Sequence, residues 1–182
     1  MPYTLLAQRG SHGAGAGRPA TTAANPAPNN SDITDFNRAV ALQATPEQTA
    51  RFQQLTMSTE AARKESQILS QHAESAGKPN SSRYVGLSDA VEDAQNNNLQ
   101  FVRSFSSSQQ SGLKTLTKKL SNANSDVSKQ SKTLAQELGR SEIDSKRIAN
   151  IVEKLDKALT GFQTDQLEIG KAMGIQSEEH SQ

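Results

Sequence analysis

The sequence has no cysteine and no tryptophan, and aromatic residues make up only 4% of its 182 positions. Without cysteine the chain can form no disulfide bond, thiolate metal site or cysteine nucleophile. Apolar residues account for 33% of the sequence, which is too few for a broad globular core. We therefore expect them to lie in narrow stripes, as in helical hairpins and thin bundles.

Net charge and hydropathy restrict the classes of partner. The sequence has 20 Lys and Arg residues against 19 Asp and Glu residues, a formal net charge of +1. This balance gives no overall field that would attract nucleic acid or an anionic membrane, so a nucleic-acid partner is disfavoured. No run of about 18 apolar residues is present, and the sequence predicts no transmembrane segment. Peripheral contact with a membrane stays open, and partners are to be sought through local patches.

The N-terminal region is rich in glycine, alanine and proline. Residues 8–31 hold almost no large apolar residue and show no periodicity, which predicts a disordered arm. No Gly-Lys-Ser or Gly-Lys-Thr follows its glycines, so the region is not a phosphate-binding loop. The short apolar patch from Tyr3 to Ala7 leaves two interpretations open, an ordinary disordered start or the end of a secretion signal that begins upstream.

Helical signals begin after this arm. Thr45 is a favourable N-cap, Pro46 suits the first helical position, and Gln48 completes a capping box. Beyond them, apolar residues recur alternately every three and four positions, and Gly or Pro residues interrupt the pattern. The predicted parts are a disordered arm at 1–31, a short helix at 32–44, a first helical hairpin at 45–105, a joint at 106–112, a second helical hairpin at 113–174 and a disordered tail at 175–182.

The two hairpins are predicted from the register of their seams. In an antiparallel pair, facing residues lie at equal distances from the turn. Pairing Leu69 with Val91 centres the first hairpin on Asn80, and the second hairpin centres on Ser141. Both centres fall in turns that glycine, proline or capping residues already indicate. Ser141, with Asp144 three residues later, is predicted to cap the last helix.

The stretch SFSSSQQSG, residues 104–112, decides the shape of the molecule. Counting heptads forward from Phe105 places Gly112 in the seam, whereas the second hairpin requires Leu113 there, so the register slips by one residue. Serine and glycine are weak helix formers and add nothing to a seam. The sequence therefore predicts an all-α fold of two antiparallel, coiled-coil-like hairpins. They form an elongated rod if this stretch stays helical and a four-helix bundle if it turns.

Residues with catalytic or metal-binding potential are sparse. His12, His72 and His180 have no second histidine at helical spacing, and no nucleophile motif accompanies them. Carboxylates are scattered among lysines, as on solvated helix faces. The sequence predicts no catalytic residue, no metal site and no cofactor, and hence no enzyme.

One local patch is a candidate interaction surface. The helix that begins at Leu113 carries an excess of lysine over Asp126 and Glu137, and these lysines lie away from the seam. The alternatives are an ordinary solvated face and a binding surface; the lack of interleaved aromatic residues argues against nucleic acid. The candidate residues are Lys114, Lys118, Lys119, Lys129 and Lys132.

The segment ATPEQTARF, residues 44–52, resembles the Leu-Thr-x-x-Gln element of small periplasmic helical chaperones and stress sensors. Thr45 and Gln48 match that element, Ala44 replaces its leucine, and no second copy occurs. The resemblance covers fewer than ten residues. More generally, the chain is similar to exported all-helical bacterial proteins without an assigned activity. This similarity implies a location outside the cytoplasm.

Three functions fit these observations. The first is a non-enzymatic structural or protein-interaction protein that binds another protein or a second copy of itself. The alternative is a periplasmic holdase-like chaperone or stress-sensor bundle, which the resemblance implies. The third is a membrane-surface or nucleic-acid binder that uses the lysine-rich helix.

Overall fold

The computed structural model describes residues 37, 39–73, 81–140 and 144–175, and within these ranges it is helical with no strand. The predicted arm at 1–31, the turn centred on Asn80 and the residues after Ile175 lie outside the described part. Residues 39–42 form a helical turn. The helices are α1 (Pro46–Ala73), α2 (Ser81–Arg103), α3 (Ser107–Gly112), α4 (Lys114–Leu138) and α5 (Ser145–Ala172). The all-α prediction is confirmed.

The predicted capping box at the start of α1 is present. The Gln48 side-chain oxygen accepts a hydrogen bond from the Thr45 backbone N–H at 2.9 Å. In return, the Thr45 hydroxyl accepts one from the Gln48 backbone N–H at 3.2 Å. These two bonds satisfy donors that the first turn of a helix otherwise leaves free, and they fix where α1 begins.

The serine-rich stretch turns and folds the two hairpins side by side. Helix α2 ends at Arg103, and residues 104–106 are not helical. From Ser107 onward the chain is helical again with a kink at Leu113, whose N–H donates to the Gln109 carbonyl at 2.8 Å. Leu113 is buried and Gly112 is exposed, so the seam slips by one residue as the spacing predicts. The rod is therefore excluded and the bundle is formed.

The helices differ in how closely they pack. Helix α1 pairs with α2, α4 pairs with α5, and α1 runs along α5 over much of its length, whereas α2 and α4 are in much less contact with each other. The predicted seam positions of α1 and α2 are buried wherever their side chains are described. On α4, by contrast, Leu116, Ala123 and Gln130 are only half-buried. The bundle is closed on its α1/α5 side and partly open on its α2/α4 side.

An aromatic cluster fills the core at the end where the chain turns. The rings of Phe52 and Phe101 lie 5.4 Å apart, and those of Phe101 and Phe105 lie 5.0 Å apart in an edge-to-face arrangement. Gly170 on α5 admits the Phe52 ring, because a Cβ at that position would lie 2.5 Å from the Phe52 Cζ. This glycine allows α1 and α5 to approach closely.

Polar residues interrupt the core, as the seam sequence predicts. Thr59, Ser66, Asn98 and Gln166 are buried. The Gln166 amide donates to the Thr59 hydroxyl at 2.9 Å, and that hydroxyl donates to the Leu55 carbonyl at 2.9 Å. An unpaired buried polar group destabilises the folded state. This bond therefore favours the one register of α1 against α5 in which Thr59 and Gln166 meet.

The far end of the α4/α5 hairpin is held by a buried carboxylate. The Glu137 side chain is only 4% exposed, and one of its oxygens lies 3.3 Å from the Arg140 Nε and 3.0 Å from the Arg147 Nε. Helix α5 begins beside this pair with Asp144 as its N-cap, since the Asp144 carboxylate accepts hydrogen bonds from the backbone N–H groups of Lys146 and Arg147. The predicted cap at Ser141 was wrong: the N-cap is Asp144 and α5 begins at Ser145, while Ser141 lies outside the described residues.

The end of α5 closes onto the start of α1. Gly174 has a φ of +70°, and the Ile175 N–H donates to the Gly170 carbonyl at 2.8 Å, as in a Schellman motif. The Ala44 N–H donates to the Met173 carbonyl at 2.9 Å. The starts of α1 and α4 and the ends of α2 and α5 therefore meet at one end of the bundle, here called the joint end.

Candidate interaction surface

All five candidate lysines are exposed, but the structure divides them into three groups. Lys114 and Lys118 line a groove between α2 and α4. Lys129 and Lys132 lie further along α4 on a shallow surface otherwise lined by serine, threonine and glutamine. The Lys119 Nζ lies 3.2 Å from a carboxylate oxygen of Glu168 on α5, so its charge is paired. The five residues do not form a single site.

The groove, here called the joint groove, lies between α2 and α4 near the joint end. It is open to solvent and has a volume of about 500 Å³. Apolar atoms of α2 and polar or cationic groups of α4 face each other across it. Its lining residues are Val102, Arg103, Phe105, Gln110, Lys114, Thr117, Lys118 and Ser121.

The groove is open because the surface of α4 that faces α2 holds few large apolar side chains. Between these helices, the Gln95 amide donates a hydrogen bond to the Asn124 carbonyl at 3.4 Å. Nearer the joint, α4 presents Thr117 and Ser121 to the groove, and such small polar residues bury little apolar area. On the α1/α5 side, in contrast, Phe52 packs directly on the Gly170 backbone.

Apolar side chains on α2 remain partly uncovered along this opening. Because Gln95 faces α4, residues four and seven positions later lie on the same face of α2. These are Leu99, which is 47% exposed, and Val102, which is half-buried in the groove wall. The opening is therefore apolar along α2.

The positive charge of the groove has no balancing carboxylate among its lining residues. Arg103 projects from the end of α2, and Lys114 and Lys118 from the first turns of α4. The exposed carboxylate of Glu92 lies on α2 ten residues before Val102, which corresponds to about 15 Å along a helix. The lining of the joint groove therefore holds three cationic side chains and no carboxylate.

A polar cluster next to the groove fixes its geometry. Ser106 and Gln109 form a second capping box at the start of α3, the counterpart of Thr45 and Gln48 on α1. The two glutamine side chains, both buried, pair reciprocally: Gln48 Nε2 donates to Gln109 Oε1 at 2.8 Å, and Gln109 Nε2 donates to Gln48 Oε1 at 3.1 Å.

Each amide of this pair also bonds to a different segment. Gln48 Nε2 donates to the Ser104 carbonyl at 2.7 Å, and Gln109 Nε2 donates to the Gln43 carbonyl at 3.0 Å. The pair therefore joins the chain before α1, the start of α1, the end of α2 and the start of α3. It holds the turn that separates α2 from α4.

Perturbed ionisable groups do not converge on a catalytic arrangement. Burial, and then the neighbouring Glu168 carboxylate, raise the pKa of Asp165 above its ordinary value of 3.8, and Lys119 partly offsets the rise. Burial raises the pKa of Tyr84. Within the described ranges, no three His, Cys, Asp or Glu residues are grouped closely enough to hold a metal ion. His12 and His180 lie outside those ranges, as does the side chain of His72.

Sequence reasoning missed the second capping box and the glutamine pair. Ser106 and Gln109 have the same spacing as Thr45 and Gln48, so the box could have been found by the same rule. The pairing of two amides 61 positions apart has no local signature.

None of the helices in the described part of the chain is long and apolar enough to cross a membrane. The chain matches no protein-family model, no curated protein and no solved structure.

Proposed function

We propose that the protein is a non-enzymatic protein-interaction module that binds another protein along the open α2/α4 side of its bundle. The observation that supports this proposal is the asymmetry of the bundle. One long side is closed by direct helix packing, whereas the other leaves partly exposed apolar residues beside unpaired cationic ones. Exposed apolar groups with a polar rim are typical of surfaces that bind proteins.

The holdase or stress-sensor alternative rests on Thr45 and Gln48. In the bundle both residues cap α1, and Gln48 also pairs with Gln109, so local structure accounts for them. A holdase would use an extended apolar surface, but the large apolar residues exposed in the described part are dispersed. They are Val40, Met57, Val85, Leu99 and Leu167. We therefore put forward the interaction module alone.

Photo-crosslinking in the source cell tests the proposal. A photoreactive amino acid replaces Gln110 or Lys118 in the groove, and the matched control variants carry it at Met57 or Lys64, which are exposed on α1. We expect a discrete protein adduct from the groove positions and none from the control positions. An equal pattern from both sets of positions, or adducts with nucleic acid or lipid only, would contradict the proposal.

A further inference from the structure

We infer that the occupant of the joint groove is an acidic amphipathic helix of a partner protein, which lays its apolar face on α2 and its carboxylates against α4. This inference rests on the proposed function and specifies the chemistry of the partner. It follows from the charge and the apolar wall of the groove.

The charge of the groove selects an acidic partner. Three cationic side chains, those of Arg103, Lys114 and Lys118, line it, and no carboxylate does. Lys114 and Lys118 are four residues apart on α4, so they project from the same face about one helical turn apart. A helix with carboxylates at the same spacing can pair with both.

The apolar wall selects an amphipathic helix over a nucleic acid. Val102 and Phe105 form part of the groove lining, and Leu99 continues the same face of α2 with about half of its side chain exposed. A sugar-phosphate backbone would leave these groups uncovered, and no exposed aromatic ring is present in the groove for stacking with bases. Apolar residues at helical spacing on a partner would cover them, as a helix does in a hydrophobic groove.

Fluorescence anisotropy on the full chain tests the inference. The probe is a capped, fluorescein-labelled peptide of about 18 residues, with leucine along one helical face and glutamate on both flanks. Its controls are a peptide of the same composition without the amphipathic order and one with lysine in place of glutamate. We expect the probe to bind saturably with a Kd below about 100 µM and its affinity to fall at least about tenfold between about 50 and 300 mM salt. The control peptides should not bind.

Matched variants locate the site. The double substitution Lys114→Glu with Lys118→Glu should weaken binding about tenfold or more, and Leu99→Asn should weaken it several-fold. The control for the charge change is Lys64→Glu with Lys154→Glu, which alters the net charge by the same amount as the groove double variant but at exposed positions of α1 and α5. The control for Leu99→Asn is Met57→Asn, which removes an exposed apolar residue from α1. These controls should leave binding unchanged. Helical circular dichroism confirms that each variant is folded.

Several outcomes would overturn the inference. They are equal losses in the groove and control variants, equal binding of the lysine peptide, and tighter groove-dependent binding of single-stranded DNA or of vesicles containing about one-third phosphatidylserine. A dimer that the groove substitutions dissociate would make a second copy the occupant. If a protein crosslinks from the groove but the acidic peptide does not bind, the inference fails and the proposed function stands. If no protein crosslinks from the groove, the proposed function itself fails.

Discussion

The Gln48–Gln109 pair gives a sharp test of how the joint end is held together. Replacing Gln48 with alanine removes four hydrogen bonds of the side chain: those with Thr45 N–H, the Ser104 carbonyl, and both polar atoms of the Gln109 amide. The substitution also leaves the buried Gln109 amide without its partner. Both glutamines are buried, with exposures of 4% for Gln48 and 3% for Gln109.

The expected loss follows from the number of bonds. Each bond contributes about 1 kcal/mol net, so four bonds correspond to about 4 kcal/mol. Releasing the ordered glutamine side chain returns about 1 kcal/mol of conformational entropy. We therefore expect Gln48→Ala to lower the free energy of unfolding by about 3 kcal/mol. The double variant with Gln109→Ala should lose about 1–2 kcal/mol less than the sum of the single losses, because the bonds that join the two amides are counted twice in that sum.

Gln48→Glu separates the local role of this residue from its long-range role. Glutamate completes a capping box as well as glutamine does, so a purely local role predicts no loss. A carboxylate, however, cannot donate to the Ser104 carbonyl or to Gln109 Oε1, and it faces both oxygens. We expect Gln48→Glu to be at least as destabilising as Gln48→Ala at neutral pH. It should partly recover at low pH, where the protonated acid supplies one donor.

Urea denaturation followed by helical circular dichroism measures these differences. Gln53→Ala is the matched control, since Gln53 is exposed on α1 five residues beyond Gln48. It should change the free energy of unfolding by less than about 0.5 kcal/mol. Wild-type stability of Gln48→Glu at neutral pH, or additive losses in the double variant, would refute the tertiary role of the pair.

Three further substitutions test other contacts through the free energy of unfolding, measured in the same way. Gly170→Ala should destabilise the protein by about 1–3 kcal/mol because the added Cβ would overlap the Phe52 ring. Its control, Gly161→Ala on the same helix, has no atom within 4 Å of the added Cβ and should stabilise by about 0.5–1 kcal/mol; equal effects would contradict the close approach of α1 and α5. Glu137→Gln should destabilise the protein by about 1–3 kcal/mol, because it leaves Arg140 and Arg147 without their buried carboxylate partner. Its control is Glu153→Gln, which removes the carboxylate of an exposed ion pair with Lys157; equal losses would contradict the claim that burial makes the Glu137 pair important. Asp165→Asn should stabilise the protein at pH 7, because the raised pKa of Asp165 in the folded state means that its ionised form opposes folding. This gain should vanish as the pH falls below 3.8, and a gain independent of pH would show that the Asp165 charge is not its source.

The helices were predictable from sequence because their stabilising interactions are local or periodic. The box at Thr45 and Gln48 uses atoms three residues apart, and the seam repeats every three or four positions. For the stretch 104–112 the sequence predicts a joint at 106–112 without deciding whether it turns, since weak helix formers indicate where a helix can break but not whether it does. The structure places the turn at 104–106, where Gln48 stabilises it by reaching the Ser104 carbonyl from 56 positions away. No local pattern contains that bond.

The candidate surface was predictable only in part, for the same physical reason. Charge counting identified the lysines of α4, but heptad position alone could not distinguish Lys118, which lines the groove, from Lys119, which pairs with Glu168. Arg103 escaped notice because it lies on a different helix and joins the lysines only after the chain turns. A surface shared by two helices depends on their packing, and the sequence pattern of one helix does not specify that packing.

The asymmetry of the bundle follows from how its polar residues are placed. A glycine beneath Phe52 and the Thr59–Gln166 bond let α1 and α5 pack closely and fix their register. On the opposite side, α4 presents Thr117 and Ser121 to α2 where such packing would need large apolar groups. The short turn at 104–106 joins α2 to the segment that leads into α4, and the glutamine pair holds that turn from outside the α2/α4 interface. The two helices are thus tethered at the turn but only loosely packed against each other, and the opening between them is a property of the folded bundle.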